Sequence, residues 1–134
     1  MIYRRRVQFY ETDAQGVMHH SNYFRLFEEA RGELLRSLGI PYSKLREEGY
    51  EVVLLEAECR FKKPIFYDEE VCVEIKLDSM DRYFFSFSYQ VSVEDSLRAE
   101  GRTMHCFVKW GRLISIPKKV RELATKEEPR FMRF

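Results

Sequence analysis

At 134 residues the chain has the size of one domain, and a chain of that length buries roughly two-thirds of its unfolded surface, so it needs no disulfide or metal staple to fold. Lys plus Arg number 23 and Asp plus Glu 22, a formal net charge of +1, which gives no support to bulk electrostatic binding of nucleic acid. Charged residues reach 34% of the chain, above the usual quarter, a surface that suits a heat-stable protein.

Residues 2–10 read as a strand, with Tyr3, Arg5, Val7 and Phe9 on one face. Residues 11–16 are turn chemistry: Asp13 suits a side-chain bond to nearby backbone, and Gly16 suits positive φ. A helix follows, starting at Ser21 or Asn22, both good caps. Tyr23, Phe27, Ala30, Leu34 and Leu38 step by four, three, four and four, which keeps one face apolar, with Arg25, Glu29, Glu33 and Arg36 outside it. Gly39 ends the helix and Pro41 prevents its continuation. At 17 residues the helix is ~25 Å long, enough to cross a sheet. A short second helix is predicted over 42–48.

The rest reads as sheet. Strands are predicted over 50–61, 71–77, 83–93 and 97–110, with a possible extension over 113–116 and a terminal helix opened by Pro117. The alternation is clearest in 83–93, and it slips near Thr103 and Met104, as a bulge would cause. The terminal stretch from Ile116 is rich in cations, including Lys118, Lys119, Arg121, Lys126, Arg130 and Arg133. The expected fold class is α+β: a five-stranded antiparallel sheet around one long helix, because a lone apolar helix must bury its stripe on a single sheet face. No internal repeat or linker divides the chain, so residues 1–134 are expected to form a single domain. Cys59, Cys72 and Cys106 form no CxxC pair and sit in strand-like runs, so they read as buried thiols of a reducing cytosol. The first residues show no apolar signal segment, and no run of about 18 apolar residues exists, so a cytoplasmic protein without a membrane span is expected.

The chemistry concentrates in the joint between the first strand and the helix. Asp13 lies just before a helix start, whose first N–H groups are unpaired and whose dipole favours negative charge. A carbonyl held on those N–H groups would find an oxyanion site. A nearby carboxylate could attack it, or deprotonate a water that does. A metal centre built on Asp13, His19, His20 and His105 is the weaker reading, because adjacent histidines rarely converge on one ion. Glu28 and Arg31, three apart on the helix, read as an ion pair; near the site Glu28 could position water instead.

The order of elements, together with Tyr10-x-x-Asp13-x-x-Gly16-Val17-x-x-His20-x-x-Tyr23, Glu28 and Ala30-Arg31, resembles the hotdog-fold acyl-CoA thioesterases. The match is closest to the 4-hydroxybenzoyl-CoA thioesterase family and its Tol-Pal-associated branch. Phe61, Pro64, Asp68 and Ile116-Pro117 fit the later pattern, so the likeness spans nearly the whole chain. One departure is His19, where that branch often has an aromatic residue, which bears on substrate choice. The resemblance implies a hotdog fold with Asp13 as catalytic carboxylate, the His20 backbone N–H as carbonyl donor, and Gly16 and Val17 beside the acyl group. His20 and Glu28 are the further catalytic candidates. His19, Tyr23, Arg60, Lys62 and Lys63 are candidates for the acyl and coenzyme A moieties, with Arg82 and the Lys118-Lys119-Arg121 group as further cations. Coenzyme A is part of the substrate, so no separate cofactor is implied. A homodimer with a continuous sheet, or a homotetramer, is expected. A hotdog dehydratase and a non-catalytic acyl-CoA-binding or scaffold protein are the alternatives.

Overall fold

Ser21–Ser37 forms the long helix α1, and the sheet curls around its apolar stripe. The computed structural model describes residues 1–131, so Arg133 of the basic terminal stretch lies outside them. The strands are β1 (Ile2–Arg6), β2 (Glu51–Phe61), β3 (Glu70–Met80), β4 (Phe84–Val93), β5 (Ser96–Lys109) and β6 (Arg112–Ile114). Two short helices complete the fold, α2 (Tyr42–Glu47) and α3 (Lys118–Glu127). All strand pairs are antiparallel, in the order β1-β3-β4-β5-β2, with β6 also pairing to β5. This is the hotdog architecture. The sheet has six strands rather than five, because residues 112–114 fold back onto the end of β5.

The helix stripe supplies Leu26, Phe27 and Ala30, all fully buried, against Val71, Val73, Val91 and Ala99 of the sheet. Full burial of one such large side chain contributes on the order of 2 kcal/mol. Helix and sheet approach most closely at Gly101. A Cβ there would stand 2.5 Å from the Phe27 ring and 2.6 Å from the Glu58 carbonyl. Phe27 itself stacks on Tyr89 at 4.2 Å.

Three local expectations change. The first strand ends at Arg6, and residues 9–11 make a 3-10 turn, so Phe9 is 74% exposed instead of sharing the inner face of Val7. The slip near Met104 is real, but its extra residue belongs to the partner strand. Leu54 faces His105 and Glu56 faces Met104, leaving Leu55 as the bulge. Arg31 does not pair with Glu28. It turns inward, donating to Tyr42 Oη at 3.3 Å and Tyr89 Oη at 3.1 Å. Tyr89 meets Thr103 at 2.6 Å and Thr103 meets His105 Nε2 at 2.8 Å, a buried polar chain through the core. Burial, with the Arg31 charge, pushes the His105 imidazole down to about 4. Among the described residues no helix is long and apolar enough to cross a membrane.

Candidate active site

The joint is a tight loop clamped at its base. The Asp13 N–H donates to the Val17 carbonyl at 2.9 Å, and the Gly16 N–H donates back to the Asp13 carbonyl at 3.0 Å. Thr12 bridges to Met18, and Val17 bridges to Phe66. Gly16 has φ +79° and open space around its Cα, so conformation rather than crowding selects glycine there. One Asp13 oxygen, Oδ1, accepts the N–H of Gln15 at 2.8 Å and of Val17 at 3.4 Å. Its other oxygen has no donor among the described residues, and the side chain is exposed. The carboxylate is therefore held by one atom and open at the other.

The start of α1 shows which histidine does what. His19 caps: its Nδ1 accepts the Ser21 N–H at 3.2 Å and lies 2.9 Å from Ser21 Oγ. Its carbonyl takes the Asn22 N–H at 3.0 Å, and the His20 carbonyl takes that of Tyr23 at 3.2 Å. The His20 N–H has no acceptor among the described residues. The two imidazoles lie against each other with centroids 4.1 Å apart.

A cleft of about 370 Å³ opens in front of His20, and His19, expected beside the substrate, is not part of its lining. Asp13, Val17, His20 and Tyr23 line one side, and Phe61, Lys62, Lys63 and Pro64 line the other, with Met18 at the base. Tyr23 is buried and meets Phe61 edge-on at 4.8 Å. Burial pushes its hydroxyl up to about 12, so it stays neutral.

Thus Asp13, Val17, His20, Tyr23, Lys62 and Lys63 converge, with Gly16 in the same loop. Other candidates stand apart. Arg60 lies on the outer face of the sheet beside Glu58 and Glu100, because its alternation parity is opposite to that of Phe61. Glu28 is exposed and outside the cleft lining. Lys62, although it lines the cleft, is paired with Glu100 at 3.3 Å. Lys119 bonds Glu48 at 2.5 Å, and Arg121 bonds the Asp81 and Arg82 carbonyls, near the other end of α1. His105 is in the core, away from His19 and His20. Among the described residues no three His, Cys, Asp or Glu side chains group as metal ligands would.

Sequence reasoning missed the support beneath the loop. Glu11 is 3% exposed, and Arg5 grips its carboxylate through Nη1 at 2.6 Å and Nη2 at 2.5 Å, while the Gln8 N–H donates at 2.8 Å. Burial alone would raise this carboxyl, but Arg5 and Gln8 outweigh it and hold it below the ordinary carboxylate range. Arg5 also binds Glu29 of α1 at 2.6 Å, and Glu29 accepts from Tyr3 at 2.7 Å. The Glu11 carbonyl takes the His19 N–H at 2.8 Å and the buried Asn22 side-chain amide at 2.9 Å. The acidic side chain of a turn gives no sequence signal for this, since its partner Arg5 sits in a strand six positions earlier.

Residues 7–123 match the family model of the thioesterase-like superfamily. An Aquifex aeolicus protein carrying the provisional name of an esterase is 62% identical over 122 residues, covering 91% of this chain and 95% of that one. A Thermosynechococcus vestitus protein named 1,4-dihydroxy-2-naphthoyl-CoA hydrolase is 32% identical over 105 residues, covering 77% and 72%. Among solved structures, one from Aquifex aeolicus superposes with a TM-score of 0.91 at 60% identity, covering 92% of this chain and 98% of that one. A gentisyl-coenzyme A thioesterase superposes with a TM-score of 0.86 at 26% identity, covering 93% and 99%.

Proposed function

The chain belongs to the thioesterase-like superfamily, and on that premise we propose that it hydrolyses an acyl-CoA thioester to a free carboxylic acid and coenzyme A. One observation carries the reading. The Asp13 carboxylate has one oxygen tethered and the other without a donor among the described residues, and it shares a cleft with the His20 N–H, which has no acceptor among them. The thioester carbonyl oxygen sits on the His20 N–H, where the helix dipole stabilises the charge that develops in the transition state. Asp13 then removes a proton from an attacking water, or attacks the carbonyl carbon itself and is released by water in a second step. In either course the C–S bond breaks and the coenzyme leaves as thiolate. The His20 ring, directed into the same cleft, orients the water. Gly16 and Val17 let the acyl group lie close to the loop backbone.

The neighbours named for 1,4-dihydroxy-2-naphthoyl-CoA and gentisyl-CoA take aromatic acyl groups, and the cleft wall of Tyr23 and Phe61 suits a planar ring. The motif from Tyr10 to Tyr23 favours the 4-hydroxybenzoyl-CoA thioesterase family and its Tol-Pal-associated branch. Lys63, with Lys62 beside it, is the cation at the cleft mouth for the phosphates of coenzyme A, which comes as part of the substrate. Residues 1–134 act as one domain in a homodimer. The edge strand β2 offers 11 residues of backbone for pairing, its Leu54 and Phe61 are 50% and 55% exposed, and Phe24 of α1 is 41% exposed. Glu28 lies one helical turn beyond Phe24 and positions water within that assembled dimer.

The test is thiol release from a panel of benzoyl-, short-chain and long-chain acyl-CoAs by the folded protein. Hydrolysis of an aromatic member is expected. Binding of acyl-CoA with no thiol released from any of them would replace this reading with a non-catalytic binding protein.

A further inference from the structure

A second cavity, of about 240 Å³, lies at the end of α1 remote from Asp13. Leu34 and Leu38 of α1, Leu45 of α2, Phe85 and Phe107 of the sheet and Val120 of α3 form its apolar wall. Among the described residues it shares no lining with the cleft of Asp13 and His20. Leu34 stands ~21 Å beyond His20 along the helix. Between them Leu26, Phe27 and Ala30 are fully buried against the sheet, so an acyl group bound at Asp13 does not extend into this cavity. Tyr42 brings a hydroxyl to the wall. Its Oη accepts from Arg31 Nε at 3.3 Å, and its own O–H has no acceptor among the described residues. Arg31 is 7% exposed, and its other contact is the Tyr89 hydroxyl at 3.1 Å. Burial pushes the Tyr89 phenol up, so it stays neutral. Among the described residues no carboxylate lies within ion-pair reach of Arg31. A buried cation without an anion is unusual, because charges taken out of water are ordinarily paired.

We propose that this cavity binds a small apolar monocarboxylic acid as its anion, with the carboxylate on the Tyr42 O–H, the Arg31 charge behind it, and the hydrocarbon among the leucines and phenylalanines. The proposal goes beyond the reaction at Asp13 and does not rest on it. Size sets the hydrocarbon. An apolar cavity of about 150 Å³ holds benzene, so this one admits about eight to ten carbons, which is too little room for a peptide segment. Charge sets the head group. A hydroxyl donor backed by a guanidinium favours an anion, because a charge-assisted hydrogen bond is roughly twice as strong as a neutral one. One such donor suits a carboxylate, whereas a phosphate calls for several. The charged lining residues Lys76, Glu127 and Glu128 offer no rival site for the anion: Lys76 is held by Glu74 at 3.2 Å, and the two glutamates repel it.

Calorimetric titration of the full chain with octanoate at neutral pH tests it. A Kd of about 0.01–1 mM is expected for a ligand of this size. Octanol, which lacks the charge, should bind roughly tenfold more weakly or worse. Tyr42→Phe keeps the ring and removes the donor, so it should weaken octanoate by about tenfold or more and leave octanol unchanged. Ala124→Leu, on the α3 wall, fills the cavity and should abolish binding of both. Both positions are remote from the cleft, so thiol release should stay within about twofold of the unaltered protein. Octanoate should also raise the thermal midpoint of the unaltered chain and of Asp13→Asn, but not that of Ala124→Leu, which separates loss of the site from loss of the fold. No octanoate binding to the unaltered chain, or octanol bound as tightly as octanoate, would overturn the proposal. So would octanoate binding that survives Ala124→Leu, which would assign the acid to the Asp13 cleft instead.

Discussion

The Asn22 side-chain amide donates to the Glu11 carbonyl across a buried 2.9 Å contact, joining the first turn of α1 to the strand side of the loop that carries Asp13. Glu11 is two residues before Asp13 and Asn22 is two residues after His20. The bond therefore spans the carboxylate and the N–H that the proposed chemistry needs to hold together. Asn22→Ala should lower stability by about 1–3 kcal/mol, the usual result of removing a buried partner. It should also reduce kcat more than it raises KM, because loop and helix start lose their fixed spacing. Denaturant unfolding and acyl-CoA kinetics on the same preparation check both parts.

Asp13→Asn is expected to keep the fold, because an amide oxygen still accepts the Gln15 N–H now held at 2.8 Å. It removes the negative oxygen. Turnover should fall by on the order of 10²-fold or more, the usual worth of a positioned acid–base group. Equal turnover in the variant, measured by thiol release, would remove Asp13 from the mechanism.

Arg5 and Glu11 form a partly buried pair whose members cannot be removed singly without cost. Arg5→Met leaves the Glu11 carboxylate buried without its cation and should destabilise by about 3 kcal/mol. The double variant Arg5→Met/Glu11→Leu should recover much of that loss, because it removes the stranded charge. Glu29, which Arg5 also binds, keeps its Tyr3 contact in both. A thermal melt of the two singles and the double gives the coupling directly.

His105 makes the fold sensitive to mild acid. Its folded value of about 4 lies below the ordinary 6.5, so the unfolded chain takes up a proton first as pH falls. The stability involved is fully present above pH 6.5 and is lost progressively down to about pH 4. The total is roughly 3 kcal/mol from a shift of this size. His105→Gln should flatten that slope when unfolding is followed from pH 7 to pH 4. An unchanged slope would assign the acid sensitivity to other groups.

Gly101→Ala tests the contact between α1 and the sheet. The added methyl would press on both the Phe27 ring and the Glu58 carbonyl, and neither can withdraw without moving α1 or β2. A loss of at least 1–3 kcal/mol is expected, the ordinary cost of overpacking. Gly16→Ala is a contrast, since it has room but the wrong φ, and should act on the loop rather than on the core.

What the sequence determined by itself is whatever repeats or terminates locally. The 3.6-residue stripe from Tyr23 to Leu38 foretold α1, the two-residue alternation of 83–93 foretold β4, and Gly39 with Pro41 marked where the helix must stop. The loop motif located Asp13 and His20, because turn chemistry and a helix start are neighbours in the chain. Tertiary structure alone decided the pairings between distant residues. It gave the cap to His19 and left the His20 N–H without an acceptor among the described residues, turned Arg31 away from Glu28 into the core, and put Arg60 on the opposite face from Phe61. It also buried Glu11 under Arg5 and placed the extra residue of the bulge in β2 instead of β5. The physical reason is common to all of these. Periodicity reports which face a residue occupies on its own element, whereas hydrogen-bond partners and charge pairs depend on how elements cross, a property no single stretch of chain contains.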